Sequence, residues 1–302
     1  MRTAEKKREQ KPPLGDNHKK LSSSGTGRHS TLEQFIRTVA QAQESALLLD
    51  YDGTLAPFSA DRRQSFPYRG ITQMLREIML SGRTRVVIIT GRNAYEVVFL
   101  LRIDPIPEVW GSHGLQRLRP DGNCEMPRID ADVSRALADA GQWLAEQRLQ
   151  PFTEFKPGGV AVHWRGLPES NAAEIREKAL RAWLPLAERG HLEVLEFDGG
   201  VEIRMRNVDK GDAVRTILNE TAAGVPIAYL GDDTTDEDAF QALGNRGMSI
   251  LVRPEWRGTC AQIWLKPPDE VLDFLTRWWE ACRTPKATRS IVPMSDHDRP
   301  EK

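Results

Sequence analysis

Short, almost continuously apolar segments alternate with segments of helical periodicity over much of the chain. The apolar segments are "ALLLD" (46–50), "RVVIIT" (85–90), "PEVWGS" (107–112) and "PIAYLG" (226–231), and the helical ones include "TQMLREIMLSG" (72–82) and "GDAVRTILNETAA" (211–223). Strands that are apolar on both faces are typical of a parallel sheet covered by helices on either side. The pattern therefore predicts an α/β fold built on a parallel sheet.

The middle of the chain, about 117–205, has a different pattern. In "GVAVHWRG" (159–166) and "GVEIRMR" (200–206) apolar residues alternate with polar ones, which is typical of strands with one buried face. Two amphipathic helical patterns lie nearby, at 132–147 and 171–188. We therefore expect a small α+β module whose helices cover one face of a sheet and leave the other, charged face free.

Both ends of the chain are polar. Residues 1–30 hold eight Lys/Arg against three Asp/Glu with few apolar residues, which predicts a disordered basic tail; a docking arm for an acidic partner is the alternative. Residues 284–302, with three prolines among polar residues, predict a flexible C-terminal tail. Between the tails we expect core segments at 31–116 and 206–283, flanking the module at 117–205.

Composition argues against several classes of function. The 302 residues have a formal net charge of −1, with 28% charged and 39% hydrophobic residues, which gives no electrostatic reason to expect nucleic acid or a membrane surface. The three cysteines are odd in number and lack a C-x-x-C spacing, so neither a disulfide framework nor a zinc site is indicated. Without an apolar signal core at the N-terminus, we expect a cytoplasmic protein, with a monomer favoured.

Acidic residues follow two of the predicted strands directly. Asp50 and Asp52 follow the first, and Asp232, Asp233 and Asp236 follow the "PIAYL" strand. In open parallel sheets, ligands bind beyond the carboxyl ends of the strands, so these side chains are expected to converge. Five converging carboxylates repel one another unless a cation is present, and oxygen ligands of this kind favour Mg²⁺.

The neutral and cationic residues around these carboxylates suit a phosphoryl group. Hydroxyl and backbone N–H donors are expected from two turns, Gly53 with Thr54 and Thr90 with Gly91, and Lys210 supplies a positive charge. Asp50 is the predicted nucleophile, forming an aspartyl-phosphate, and Asp52 the predicted general acid and base. Asp50, Asp52 and Lys210 are thus the candidate catalytic residues.

Together these motifs resemble those of a known superfamily. "DYDGT", the Thr90-Gly91-Arg92 turn, Lys210 and "GDDTTDEDAF" resemble the haloacid dehalogenase-like phosphohydrolases. With "SHG", "GGVEIR" and "DKGDA", the chain is similar to the trehalose-6-phosphate phosphatase family over about residues 45–282. The resemblance implies a Rossmann-like parallel sheet core with an inserted α+β cap domain.

The resemblance also implies roles for individual residues. Mg²⁺ would be held by Asp50, the Asp52 carbonyl and Asp232, with Asp233 as a further metal residue. The phosphate would be bound by Gly53, Thr54, Thr90, Gly91 and Arg92, with Lys210. The sugar would be bound by His113, Glu154, Lys156, His163, Arg165, Glu202 and Arg204.

The expected activity is Mg²⁺-dependent hydrolysis of trehalose 6-phosphate to trehalose and phosphate. Three alternatives stay open: the same reaction on glucosylglycerol phosphate or sucrose phosphate, a non-catalytic sugar-phosphate binding domain, and phosphoryl transfer to a second sugar. The expected partner is a small sugar phosphate. Gln116 and Met205 depart from the family pattern, as does the bulkier "VRPEWRGT" segment at 252–259, and these departures concern the sugar more than the reaction.

Overall fold

A computed structural model describes residues 25–59, 61–197 and 199–283, which are built around two separate sheets. We refer to the described residues of 25–125 and 206–283, around the eight-stranded sheet, as the large domain, and to those of 126–205, around the four-stranded sheet, as the small domain. The chain passes between the domains twice. Residues 1–24 of the tail predicted at 1–30, and the whole tail predicted at 284–302, lie outside the described residues.

The large sheet has the order β12-β11-β10-β1-β2-β3-β4-β5. Its strands are β1 Ser45–Leu49, β2 Thr84–Ile89, β3 Glu108–Gly111, β4 Gln116–Leu118, β5 Cys124–Glu125, β10 Ile227–Gly231, β11 Met248–Val252 and β12 Ile263–Leu265. The six strands from β12 to β3 are parallel, and β4 and β5 are antiparallel additions at one edge. The predicted α/β fold with a parallel sheet is confirmed.

Helices cover both faces of this sheet because its strands are apolar on both sides. Leu47 and Leu49 of β1 pack into one core, and Ala46 and Leu48 pack into the other. The first core is covered by α1 Gly25–Gln41, α2 Ile71–Leu80, α3 Ala94–Leu101 and α8 Asp269–Arg283; the second by α6 Lys210–Glu220 and α7 Asp236–Leu243. Strand β1 lies between β10 and β2, so its carboxyl end opens at the middle of the sheet.

The small domain has the α+β architecture that alternation predicted. Its antiparallel strands, in the order β6-β7-β9-β8, are β6 Thr153–Lys156, β7 Gly159–His163, β9 Gly200–Met205 and β8 Leu192–Phe197. Helices α4 Ala131–Glu146 and α5 Glu169–Arg189 pack on one face, where Val160, Val162, Val201 and Ile203 meet Trp183. The other face carries charged residues toward the large domain.

Two boundaries differ from those expected from the sequence. Residues 25–30, expected in the basic tail, form the start of α1, and β4 and β5, expected in the inserted module, pair with the large sheet. Strands β4 and β5 are too short to show an alternation of apolar and polar residues.

Short 3-10 helices occur at Arg62–Gln64, Ser112–Gly114, Gln150–Phe152 and Gly244–Arg246. Within the described ranges, no helix combines the length and the apolar character needed to span a membrane.

Candidate active site

A cavity of about 950 Å³ lies where the carboxyl ends of the central strands face the small domain. Its large-domain wall follows β1, β2 and β10, and its small-domain wall comes from β6, β7 and β9. The cavity thus lies at the edge where ligands bind in open parallel sheets. It brings together predicted residues that are far apart in the chain.

Asp50, directly after β1, is held by Lys210. The Lys210 ammonium donates to Asp50 Oδ1 at 2.6 Å and to Asp236 Oδ1 at 2.7 Å. Lys210 begins α6, whose N-cap Asp209 forms a reciprocal capping box with Asp212. Asp50 is only 3% exposed, and burial raises its pKa to about 7 in spite of the lysine.

Asp236 organises the acidic loop that follows β10. Its carboxylate accepts hydrogen bonds from four groups: the Lys210 ammonium, the Tyr229 hydroxyl at 2.6 Å, and the backbone N–H groups of Asp232 and Asp233 at 3.0 and 2.9 Å. Asp233 is half-buried and accepts from the Thr234 N–H at 2.7 Å. Asp236 therefore fixes the loop that presents Asp232.

Carboxylate oxygens of Asp50, Asp232 and Asp236 lie within 4.8 Å of one another and are buried. Burial, together with the charges of Asp50 and Asp236, raises the pKa of Asp232 well above its ordinary value. Lys210 offsets only part of this negative charge, so the donor set suits a divalent cation that prefers oxygen ligands, such as Mg²⁺. Asp233, a predicted metal residue, is outside this cluster.

Asp52 is held by a second cation, Arg92. The guanidinium forms a two-point ion pair, with Nε 2.6 Å from Asp52 Oδ2 and Nη2 2.7 Å from Oδ1. Its Nη1 donates to the Arg62 carbonyl at 2.9 Å and to the Glu96 carboxylate. Four bonds therefore engage a guanidinium that has five N–H groups. Most of the guanidinium is thus engaged by Asp52 and its neighbours, and the phosphate contact expected for Arg92 stays a prediction.

The predicted phosphate-binding turns differ in what they offer. Thr54 Oγ1 is buried without a hydrogen-bond partner, and Thr90 Oγ1 accepts from the Arg92 backbone N–H at 3.1 Å, which leaves its proton for an acceptor. The Gly53 N–H donates to the Ala56 carbonyl at 2.8 Å, so Gly53 serves its own turn, contrary to expectation. The hydroxyl groups of Thr54 and Thr90 therefore suit the predicted phosphate role, and Gly91 lines the cavity beside them.

His113 lines the same cavity and contacts Glu202 of the small domain. Ser112 and His113 have φ angles of 50° and 58°, a left-handed conformation that is uncommon for residues with side chains. Hydrogen bonds from their N–H groups to the Arg92 and Thr90 carbonyls, at 2.7 and 2.9 Å, hold them there. Burial lowers the pKa of His113 to about 4. Nε2 is 3.3 Å from Glu202 Oε2, and Nδ1 is buried without a partner.

The predicted sugar-binding residues of the small domain form one charged cluster. The Lys156 ammonium is 2.8 Å from Glu202 Oε1 and 3.9 Å from Glu154 Oε2, and His163 Nε2 is 3.0 Å from Glu154 Oε2. Burial opposes ionisation, but Lys156 and the neighbouring histidines hold the pKa of Glu154 and Glu202 below their usual range. Glu154 Oε1 is buried without a partner, as expected for a site that receives hydroxyl groups.

Two arginines complete the set predicted for the sugar. Arg165 lies over the Phe58 ring, 4.0 Å from its centroid, and Arg204 Nε donates to Glu193 Oε1 at 3.0 Å; both arginines line the cavity. Phe58 and Arg62, which line the same wall, were not predicted. They follow the "DYDGT" motif in a segment without hydrophobic periodicity, so no pattern indicated that it reaches the small domain.

Comparison with known proteins places these residues in a family. A family model described as Trehalose-phosphatase matches residues 48–261. The trehalose-phosphate phosphatase of Mycobacterium bovis is 33% identical over 252 residues, which are 78% of this chain and 61% of that protein. The chain thus spans less than two thirds of that relative. A probable trehalose-phosphate phosphatase H of Arabidopsis thaliana is 28% identical over 290 residues, with 88% and 81% covered.

Solved structures share the fold. The C-terminal domain of a C. albicans trehalose-6-phosphate phosphatase aligns with a TM-score of 0.69 at 20% identity, covering 82% of this chain and 96% of that one. A haloacid dehalogenase-like hydrolase from B. subtilis aligns with a TM-score of 0.54 at 13% identity, covering 77% and 99%. Because the family model extends from the end of β1, which precedes Asp50, to beyond β11, the chain belongs to the trehalose-phosphatase family.

Proposed function

We propose that the protein is a phosphatase that hydrolyses trehalose 6-phosphate to trehalose and phosphate through an aspartyl-phosphate on Asp50. The observation that carries the proposal is the pair of carboxylates at the cavity floor. Asp50 is held by Lys210 beside the acidic cluster, and Asp52 is held by Arg92, so two neighbouring acids have different partners. Family membership supports the same assignment.

In the proposed first step, an Asp50 oxygen forms a bond to phosphorus while the bond from phosphorus to the sugar oxygen breaks. Asp52 gives its proton to the departing oxygen. In the second step, water attacks phosphorus, Asp52 takes a proton from it, and the bond to Asp50 breaks. Lys210, Thr54 and Thr90 position the phosphoryl oxygens through donors that are buried beside Asp50.

The acidic cluster is proposed to bind Mg²⁺. Asp50, Asp232 and the Asp52 carbonyl would hold the ion, Asp233 stays a predicted metal residue, and Asp236 fixes the loop. Bound there, Mg²⁺ would neutralise negative charge on the phosphoryl group. We expect a chelator to abolish turnover and added Mg²⁺ to restore it. Calorimetric titration with Mg²⁺ should give weaker binding to Asp232→Asn; unchanged binding or chelator-resistant turnover would contradict the site.

The sugar is proposed to lie against the small domain. Glu154, Lys156, His163 and Glu202 offer charged acceptors and donors to hydroxyl groups, and the unpartnered Glu154 Oε1 and His113 Nδ1 suit a ligand with several of them. Arg165 and Arg204 line the same wall. A disaccharide phosphate fits a cavity of about 950 Å³ that extends from the carboxylates to this wall.

The decisive measurement is phosphate release from a panel of trehalose 6-phosphate, sucrose phosphate and glucosylglycerol phosphate. We expect kcat/KM to favour trehalose 6-phosphate by about tenfold or more, equivalent to about 1.4 kcal/mol of transition-state binding. A smaller preference would count against a dedicated trehalose enzyme. Oxygen-18 from water should appear in the phosphate; its absence would favour transfer to a second sugar.

Asp50→Asn tests the nucleophile. The amide cannot form the acyl phosphate, so we expect no turnover with a thermal unfolding midpoint close to that of the unchanged protein. Asp121→Asn, which removes a carboxylate from an exposed loop, is the matched control and should keep full activity. Turnover that survives in Asp50→Asn would contradict the mechanism. If the unchanged protein binds the sugar phosphate but does not hydrolyse it, a non-catalytic binding domain would be favoured instead.

A cytoplasmic location stays a prediction.

A further inference from the structure

Arg62 joins the two domains at a point that the proposed mechanism leaves unexplained. It belongs to the large domain, in the short helix Arg62–Gln64, and its side chain is 25% exposed. Its guanidinium pairs with the Glu154 carboxylate of the small domain, and Nη1 lies 3.3 Å from His163 Nε2. Glu154 and His163 are both predicted sugar-binding residues, so Arg62 contacts the wall that would receive the sugar.

The backbone of Arg62 contacts a different group, at the chemical end of the cavity. Its carbonyl oxygen accepts from Arg92 Nη1 at 2.9 Å, and the same guanidinium holds both oxygens of Asp52. A guanidinium is planar and rigid, so a shift of the bond at Nη1 reorients the bonds at Nε and Nη2. Arg92 is only 2% exposed, so its side chain is largely shielded from bulk solvent.

A continuous set of bonds therefore runs from the sugar wall to the proton-handling carboxylate. It passes from Glu154 to the Arg62 side chain, from the Arg62 carbonyl to Arg92, and from Arg92 to Asp52. Glu154 uses Oε2 for His163, while its Oε1 is buried without a partner. A substrate hydroxyl group that binds Glu154 would thus contact the first residue in this series of bonds.

We propose that Arg62 is a positioning residue, which couples the sugar-binding wall of the small domain to the orientation of Asp52 through Arg92. The inference rests on the proposed role of Asp52 as general acid and base. Arg62 touches neither the phosphoryl group nor the nucleophile. It keeps Asp52 aligned with the departing oxygen when the small domain is in place.

The coupling predicts that the loss of kcat/KM caused by changing Arg62 depends on the leaving group of the substrate. A sugar or alkyl oxygen leaves poorly as an alkoxide and needs the proton of Asp52, whereas 4-nitrophenolate departs without one. The value of kcat/KM reports steps up to the first irreversible one, and the departure of the leaving group falls among them. Misaligning Asp52 should therefore slow alkyl substrates and spare the nitrophenyl one.

The test compares three substrates with the full-length, Mg²⁺-supplied protein and its Arg62→Ala variant: trehalose 6-phosphate, β-glycerophosphate and 4-nitrophenyl phosphate. β-Glycerophosphate has an alkyl leaving group but is too small to reach Glu154. We expect Arg62→Ala to lower kcat/KM by about tenfold or more for both alkyl substrates and by less than about threefold for the nitrophenyl ester. Arg62→Lys, which keeps a charge for Glu154, should recover part of the loss.

Matched variants separate this role from a loss of folding. Arg63→Ala, which removes the neighbouring arginine whose side chain is 85% exposed, should leave all three values unchanged. Glu154→Gln should also slow β-glycerophosphate, a substrate that does not reach it. An equal loss for all three substrates would make Arg62 merely structural, and a loss with trehalose 6-phosphate alone would make it a sugar contact; either result overturns the proposal.

The same experiment distinguishes failure of the inference from failure of the proposed function. If the unchanged protein hydrolyses β-glycerophosphate but not trehalose 6-phosphate, the proposed substrate is wrong. The comparison between β-glycerophosphate and the nitrophenyl ester still tests the coupling in that case. If both esters lose activity equally in Arg62→Ala, the coupling fails while the proposed substrate stands.

Discussion

Asp50 and Asp52 are two positions apart, and each is paired with a different cation. Lys210 comes from the start of α6 and Arg92 from the turn after β2, so each carboxylate is fixed independently of the other. Burial raises the pKa of Asp50 to about 7, whereas Asp52 is more accessible and carries a two-point ion pair. The two side chains are chemically identical, but their surroundings are unequal.

His113 should make folding stability depend on pH. Its pKa is 6.5 in the unfolded chain and about 4 in the folded protein, because burial disfavours the charged ring. Between these values the unfolded chain binds the additional proton, so stability falls as pH falls, by about 3 kcal/mol at most. In urea unfolding at several pH values, the free energy of unfolding should fall less with falling pH in His113→Asn than in the unchanged protein. Asn is the chosen replacement because it tolerates the left-handed backbone. Identical pH dependence in both proteins would contradict this assignment.

At the residue scale, the sequence predicts side chains that follow a recognisable strand. Asp50, Thr90 and Asp232 could be placed at the site because each comes directly after an apolar run. Arg62 could not, because its partner Glu154 is in the other domain and its own segment has no period. The pairing of Arg92 with Asp52 was also not predicted, since a guanidinium beside a phosphate-binding turn can face either a phosphate or a carboxylate.

At the scale of elements, the turn after β1 brings the acidic loop close to Asp50. Gly53 has a φ of 78°, and a Cβ there would come within 2.3 Å of Asp232 Oδ2. Glycine is thus required for two reasons, a left-handed backbone and the close approach of a carboxylate. The turn and the loop after β10 fit together because β1 and β10 are hydrogen-bonded neighbours.

Gly53→Ala should therefore displace Asp232. We expect Mg²⁺ affinity to fall by about tenfold to a hundredfold in calorimetric titrations, the range seen when residues that support metal ligands are changed. The matched control is Gly122→Ala, where φ is 85° but nothing lies within 4 Å of the added methyl group. It has the same backbone strain without the collision. Equal affinities in the two variants would show that Asp232 does not bind the ion.

Element boundaries were least predictable where strands are short. Alternation over 159–166 and 200–206 predicted β7 and β9, because five or six residues suffice to show a period of two. Strands β4 and β5 have three and two residues, so the pairing of β4 with β3 and of β5 with β4 could not be read from the sequence, and all of these residues but Gln116 were assigned to the inserted module.

At the scale of the molecule, each domain has its own apolar core. The small-domain core surrounds Trp183, which lies edge-on to Trp143 with ring centroids 5.9 Å apart, while Trp278 lies in one core of the large domain. The contacts between domains that involve Arg62 and Arg165 are polar or cation–π contacts. Separate cores joined by polar contacts favour domains that unfold separately.

Trp183→Ala should destabilise the small domain selectively. Removing this fully buried side chain is expected to lower the free energy of unfolding of that domain by about 3–5 kcal/mol. Hydrogen exchange followed by mass spectrometry in increasing urea reports on each domain through its own peptides. Trp278→Ala is the reciprocal control and should lower protection in the large domain. Equal loss of protection in both domains for either variant would indicate a single cooperative unit.

The position of the small domain within the chain has a consequence for biosynthesis. Asp50 precedes it, whereas Lys210 and Asp232 follow it, and β1 lacks its β10 neighbour until the later segment is made. During translation, the emerging polypeptide therefore contains the proposed nucleophile before its lysine and its acidic loop have been made. If Asp50 acts as proposed, a nascent chain that ends before the segment carrying β10 and Asp232 would lack the activity.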